Sequence, residues 1–245
     1  MTTNIFNSDT YSENFMSAGN KAYSYNNLIE HPAMNSLVPD LKNKSVLDMG
    51  CGPGYNCVDF INRGAAKVVG IDISQKILDV AKAEKSHPHI QYLHLGVEKI
   101  DEIESKFDFI YCSLVMEYID NFRDLLNKVH NPLNGGGIFL FSQEHPMGTA
   151  PLYGSKWIKD EQGIKISATI SDYAKNGRRT DNWKNIGIPK YHRSFSFIIN
   201  SLIESGFVIL KIVEPSPTKQ TLEIAPHLYD EIHRPASIVI KAQKP

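Results

Sequence analysis

An α/β fold built on a doubly wound, mostly parallel sheet is what this sequence predicts, on three observations. Short apolar runs alternate with segments of helical period, a glycine-rich stretch turns the first such run into a helix, and an acidic residue closes the second run. Parallel neighbours need a crossover connection, and the right-handed strand–helix–strand unit supplies it.

In chain order, residues 1–40 are polar with interspersed aromatics (Tyr11, Phe15, Tyr23, Tyr25) and read as a helical lead-in. Ser45 to Met49 is a short buried strand that runs into Gly50, Cys51, Gly52, Pro53 and Gly54, after which a helix follows. Lys67 to Ile73 is the second strand, and Ser74 caps a helix through Ala83 that carries Ile77, Leu78 and Ala81 at helical spacing. Ile90 to Leu95 is the third strand and Phe107 to Ser113 the fourth. Tyr118 to Val129 follows with helix period, and Gly137 to Ser142 is the fifth strand after a turn over Asn134 to Gly137. From Pro146 to about Tyr191 the pattern is irregular and reads as a cap. Helix then returns over 193–205, with strands at Phe207 to Val213 and Ser237 to Ala242.

These segments divide the chain into a lead-in or lid (1–40), a ligand-binding core (41–145), a cap insertion (146–192) and a C-terminal part of the same sheet (193–245). No internal repeat or flexible linker separates the cap.

Composition narrows the function. Lys plus Arg (26) nearly balances Asp plus Glu (27), and no basic run stands out, so the electrostatic footprint of a nucleic-acid partner is missing. Three cysteines without CxxC or Cys/His ligand spacing argue against a disulfide framework and a zinc site; no metal is expected. With no apolar run near membrane-spanning length and no basic-then-apolar N-terminus, a cytoplasmic protein without membrane association is expected, as monomer or homodimer.

The glycine stretch carries the chemistry. Gly50, Gly52 and Gly54, with Cys51 between them, let a ligand approach the backbone at a strand–helix turn. The spacing is GxGxG, not the GxGxxG of a pyrophosphate loop, and Asp48 precedes it by two residues, where it would repel a phosphate but offset a positive charge. Asp72, 22 residues after Gly50, is placed to accept hydrogen bonds from ribose hydroxyls, with Ile73 against an adenine face.

VLDMGCGPG followed by VVGIDIS resembles the first motif and the following acidic motif of class I S-adenosylmethionine-dependent methyltransferases. FDFIYCSLVMEYI and LNGGGIFLFSQEHP resemble the fourth and fifth strand motifs of their small-molecule, type 11/12-like group. The resemblance implies a Rossmann-like seven-stranded sheet with an antiparallel last strand, S-adenosyl-L-methionine as cofactor and S-adenosyl-L-homocysteine as product. It also implies cofactor contacts at Ser113 and Leu114, which end the fourth strand. One departure stands out: the third strand ends at Gly96 where the family usually has an acid. Val97 can offer its backbone to adenine instead, and Glu98 either takes the acid's place or is a solvated loop carboxylate. Tyr23, with Tyr11 and Tyr25, either closes the ligand pocket or packs on the sheet.

Methyl transfer is an in-line displacement, so the protein must align the acceptor and, where needed, take its proton. Ligands in such sheets bind at the carboxyl ends of the strands, which singles out Glu144 and His145 after the fifth strand and Glu117 after the fourth. An imidazole titrates near neutrality, making His145 the first candidate for base or orienting group; its alternative is a backbone hydrogen bond at the strand exit. Glu117 faces the acceptor or is a first-turn carboxylate. The EHP triplet, Arg178-Arg179 and Tyr191-His192-Arg193 resemble a subgroup in which a cap follows the fifth strand. Arg179 and His192 therefore either order the cap or bind an acidic substrate, with Tyr191 beside them. Trp157 and Trp183 wall the acceptor pocket or belong to the core. Cys51 and Cys112 read as buried small residues without chemistry.

The expected activity is transfer of a methyl group to O or N of a small-molecule acceptor enclosed by the cap of roughly 45 residues. The alternatives are an RNA or protein methyltransferase, a non-catalytic S-adenosylmethionine sensor, and a nicotinamide-dependent reductase.

Overall fold

The computed structural model describes residues 5–10, 14, 22–152, 157–181 and 187–245. Tyr11, Phe15 and Trp183, named above, lie outside the described residues.

Seven strands form one sheet in the order β10-β11-β5-β4-β1-β2-β3. They are β1 (Ser45–Met49), β2 (Lys67–Asp72), β3 (Ile90–His94), β4 (Phe107–Ser113), β5 (Leu133–Glu144), β10 (Val208–Val213) and β11 (Ser237–Gln243). β1 pairs parallel with β2 and β4, β2 with β3, and β4 with β5. Only β11, antiparallel to both β5 and β10, runs against the rest. The doubly wound sheet with an antiparallel last strand is therefore present. The chain order reverses direction across the sheet at β1, where β2–β3 leave to one side and β4–β5 to the other, and such a switch point opens a crevice at the carboxyl edge.

Alternation along the strands sorts side chains to two faces. Leu47, Met49, Val69, Ile71, Ile110, Phe139 and Phe141 pack under α4 (Phe122–His130) and α6 (Phe195–Glu204) through Leu125, Leu126, Val129, Ile198 and Leu202. Val46, Val68, Phe109, Tyr111 and Leu140 face α1 (His31–Leu37), α2 (Tyr55–Asn62) and α3 (Gln75–Glu84) through Met34, Cys57, Phe60 and Leu78. Phe60 meets Phe109 and Tyr111 edge-on, with ring centroids 5.7 and 5.2 Å apart.

Several boundaries differ from the sequence reading, each for a local reason. α4 starts at Phe122, not Tyr118, because the Asn121 side chain accepts the Asp124 N–H as an N-cap and Met116–Tyr118 forms a separate 3-10 turn. β5 starts at Leu133, before the glycines, because the peptides of Gly136 and Gly137 bond to Lys244 beyond β11. Ser74 occupies the N-cap position of α3, but its buried hydroxyl makes no hydrogen bond. The stretch after β5 is not irregular: it opens with the short helix α5 (Pro146–Thr149). Two antiparallel hairpins follow, β6 (Trp157–Lys159) with β7 (Lys165–Ala168) and β8 (Gly177–Asp181) with β9 (Ile188–His192). Helix α7 (Lys219–Ile224) and a 3-10 stretch, Pro226–Ile232, precede β11. Among the described residues no helix is long and apolar enough to cross a membrane.

Candidate functional site

The loop after β1 is held in a conformation only glycine adopts freely: φ is +73° at Gly50, +53° at Gly52 and +82° at Gly54. Space is as restrictive as the backbone. A Cβ on Gly50 would lie 2.4 Å from Val115 Cγ2, and one on Gly54 2.3 Å from the Tyr92 hydroxyl. The amides of Gly50 and Cys51 both donate to the Ile71 carbonyl, tying the loop to the end of β2.

Asp72, at the end of β2, accepts the Gly52 amide on one carboxylate oxygen (3.0 Å) and the Ser74 amide on the other (2.8 Å). It thus braces the glycine loop against the start of α3, and each oxygen keeps a lone pair for a further donor. Burial pushes its carboxyl above the usual range. Ile73 beside it is 39% exposed, an apolar face open at the edge of the sheet. The Glu98 carboxylate folds back toward this place: a Cβ on Gly96 would meet Glu98 Oε2 at 3.2 Å and Ile73 Cδ1 at 3.6 Å. An acid therefore stands just beyond the end of β3, although β3 ends at His94 and Gly96 occupies the position where an acid was expected. Val97 is buried next to it, and Tyr23 is exposed.

Asp48 is buried in β1 and accepts a hydrogen bond from the Cys57 thiol at 3.4 Å. Burial, and to a lesser degree the charge of Asp72, raises it to about 7. All three cysteines are free and buried.

At the end of β4 the chain turns sharply. Leu114 has φ +53°, a left-handed conformation that costs a branched residue ~1–2 kcal/mol. It is held there by its amide, which reaches Ser142 of β5 at 3.1 Å on both the carbonyl and hydroxyl oxygens. Ser142 and Ser113 in turn donate to one carboxylate oxygen of Glu30, which arrives from the N-terminal segment and is fully buried. Nothing in the polar stretch around Glu30 marks it as an interior residue.

The next turn brings in Glu117, 2% exposed, with Oε2 lacking any hydrogen bond. Burial is the main cause that raises its carboxyl to about 8, and the charge of Glu144 adds to it while Lys190 opposes. Glu144 is ion-paired to Lys190, a buried residue of the cap strand β9. Glu117, Glu144 and Lys190 thus meet where β9 packs on the carboxyl edge of the sheet. Lys190 was missed from the sequence, though the alternation Ile188, Lys190, His192 points all three inward once β9 is seen as a strand.

His145 is used differently from the first expectation for it. Its Nδ1 accepts the Met147 amide at 3.1 Å, capping α5, and its Nε2 donates to Glu214 at 2.8 Å. With its one lone pair committed to a backbone N–H, the ring orients the strand exit and has no basic nitrogen to offer in this arrangement.

The cap candidates are drawn together, but by backbone. Arg179 donates from Nε to Ala150 O and from its terminal nitrogens to the carbonyls of Lys175, Gly177 and Arg178. His192, fully buried, takes the Thr149 hydroxyl on Nδ1 at 2.8 Å and donates from Nε2 to Tyr173 O at 2.9 Å. Both side chains thus tie the end of α5 to residues 173–178. Arg193, also unmarked beforehand, donates to the carbonyls of Met116 and Ile119 and lies over Phe122, so it fastens the Glu117 turn to the cap exit. Tyr191 is half-buried beside it, its ring 5.9 Å from the Arg193 guanidinium carbon. Trp157 is flanked by two cations, Lys165 at 4.7 Å and Arg234 at 4.8 Å, and is not a core residue.

Comparison with known proteins places the fold in a family. Residues 47–141 match a family described as a methyltransferase domain. An uncharacterized protein of Haemophilus influenzae is 36% identical over 250 aligned positions, spanning 98% of this chain and 96% of its own. The solved structure of an S-adenosylmethionine-dependent methyltransferase from Mesorhizobium loti superposes with a TM-score of 0.81 at 33% identity, covering 87% of this chain and 97% of that one. A Listeria monocytogenes structure assigned to the same class gives a TM-score of 0.81 at 34% identity, over 88% and 96%.

Proposed function

Because the chain belongs to the S-adenosylmethionine-dependent methyltransferases, we propose that it methylates an oxygen or nitrogen of a small-molecule acceptor held where β4 and β5 meet the cap. Its cofactor is S-adenosylmethionine, which when bound supplies a methyl carbon already activated by a sulfonium.

The residues present fit that group. The positive φ of Gly50, Gly52 and Gly54 holds the loop in a tight turn at the end of β1, beside Asp72, which retains lone pairs for ribose hydroxyls. Ile73 offers an apolar face for adenine, with Glu98 and the Val97 backbone at the third strand end to meet its polar edge. Asp48 lies under the loop with no lysine or arginine paired to it among the described residues, which suits a positively charged ligand and not a phosphate.

The observation that carries the acceptor assignment is Glu117: a buried carboxylate with one unpartnered oxygen, next to Glu144 and Lys190. In its ionised form Glu117 accepts the proton of an acceptor hydroxyl or amine as the new bond forms. Lys190, paired with Glu144, limits the mutual repulsion of the two carboxylates. Arg193 and His145 hold the two strand exits in register for this contact. Tyr191 and Trp157 line the approach from the cap.

Glu117→Gln tests this reading. The variant should bind S-adenosylhomocysteine with unchanged affinity and lose turnover by about 10²–10⁴-fold, the usual worth of a general base. Full turnover would remove Glu117 from the chemistry, and no turnover by the native chain on any acceptor would favour a sensor.

A further inference from the structure

The N-terminal segment is tied to the carboxyl edge of the sheet at two points that the methyl-transfer reading does not use. Tyr25 hydrogen-bonds Ser237 at 2.7 Å, at the start of β11. Five residues on, Glu30 sits fully buried between the ends of β4 and β5. One of its carboxylate oxygens takes the hydroxyls of Ser113 and Ser142. The other, Oε2, has no hydrogen bond. The Nε2 of the partly exposed His31 ring lies 3.5 Å from Oε2, beyond a well-formed hydrogen bond, and among the described residues no lysine or arginine forms an ion pair with Glu30. Tyr25 and Tyr111 are the other titratable groups that feel its charge.

A carboxylate kept dry and half-satisfied is costly, and it persists in a fold where a ligand supplies the missing donor. The order of the sheet indicates which donor. Adenosyl recognition by Asp72, Ile73 and Glu98 lies at the ends of β2 and β3, and the glycine loop crosses the end of β1. A ligand anchored there extends its remaining end toward β4 and β5, where Ser113, Leu114 and Ser142 converge on Glu30. The group at that end of S-adenosylmethionine with protons to donate and a positive charge is its α-ammonium.

We infer that Glu30 is the cofactor's ammonium-binding residue, so that cofactor binding fastens the N-terminal segment onto the strand ends. The link is direct: the Ser142 hydroxyl that donates to Glu30 also accepts the amide of the strained Leu114. The seating of residues 25–30 and the shape of the β4 turn are then coupled through one side chain. No acceptor takes part, so this inference stands or falls apart from the role of Glu117.

The test compares two ligands on the full chain by calorimetry: S-adenosylhomocysteine and its desamino analogue, which keeps the carboxylate and lacks the ammonium. Glu30→Gln should weaken S-adenosylhomocysteine by about tenfold or more, the worth of a charge-assisted hydrogen bond. It should leave the desamino analogue within about twofold. Equal weakening of both ligands would make Glu30 a structural residue, and unchanged affinity for both would remove it from the site; either result overturns the inference. If Glu30→Gln does not fold, Glu30→Asp, which keeps the charge but withdraws it by one methylene, is judged by the same comparison.

Discussion

Replacing Gly50 by alanine challenges the glycine loop at its most crowded point. The native φ of +73° costs a residue with a Cβ ~1–2 kcal/mol. The new methyl would also stand 2.4 Å from Val115 Cγ2, well inside contact distance. Val115 sits on the β4 turn between Leu114 and the Met116–Tyr118 turn, so it cannot retreat without moving them, and overpacking of this kind costs ~1–3 kcal/mol. The expected total is a loss of about 2–5 kcal/mol in urea unfolding at unchanged slope. Removing the obstacle separates the two parts. Val115→Ala in the Gly50→Ala background should return the steric part, giving a coupling of ~1–3 kcal/mol in a double-mutant cycle, while the backbone part remains. A loss below about 1 kcal/mol for Gly50→Ala, or no coupling to Val115, would refute the packing argument.

Two further outcomes follow from the site. Since burial holds the Glu117 carboxyl at about 8, its basic form is lost as pH falls through that value. With Glu144, Lys190 and Arg193 as its charged neighbours, kcat/KM should rise about tenfold per unit from pH 6 and level off above pH 8; a flat profile over that range would contradict the assignment. His145→Asn, which keeps a side-chain acceptor for the Met147 amide, should hold turnover within a few fold when initial rates are compared. A hundredfold loss would return His145 to the chemistry.

How much was legible beforehand follows from what each residue reports on. Leu47, Val69 and Phe139 announce strands because an apolar run between turn signals has few other uses, and Gly50, Gly52 and Gly54 announce their loop because positive φ selects for glycine. The glycine loop and its acid, Asp72, are local in sequence, so their pairing could be read from spacing, and the resemblance supplied the cofactor they are proposed to hold. The acceptor half could not. Glu117 meets Lys190 across 73 positions and Glu30 meets Ser142 across 112, and no pattern near either residue encodes its partner. His145 shows the opposite limit: a histidine at a strand exit has the composition of a base, and only the Met147 amide and Glu214 reveal that its nitrogens are engaged. The hairpins β6–β7 and β8–β9 were hidden because their strands are short and largely polar, with exposed Ile158, Ile164 and Ile166 blurring the alternation.

The most direct test of the central claim is transfer of labelled methyl groups from S-adenosylmethionine to a fractionated cell extract, with counts divided into acid-soluble and acid-precipitable pools. Counts in the soluble pool that vanish with Asp72→Ala are the predicted result. Counts confined to the precipitable pool would make the acceptor a macromolecule and contradict the account of a small molecule enclosed between the sheet edge and the cap.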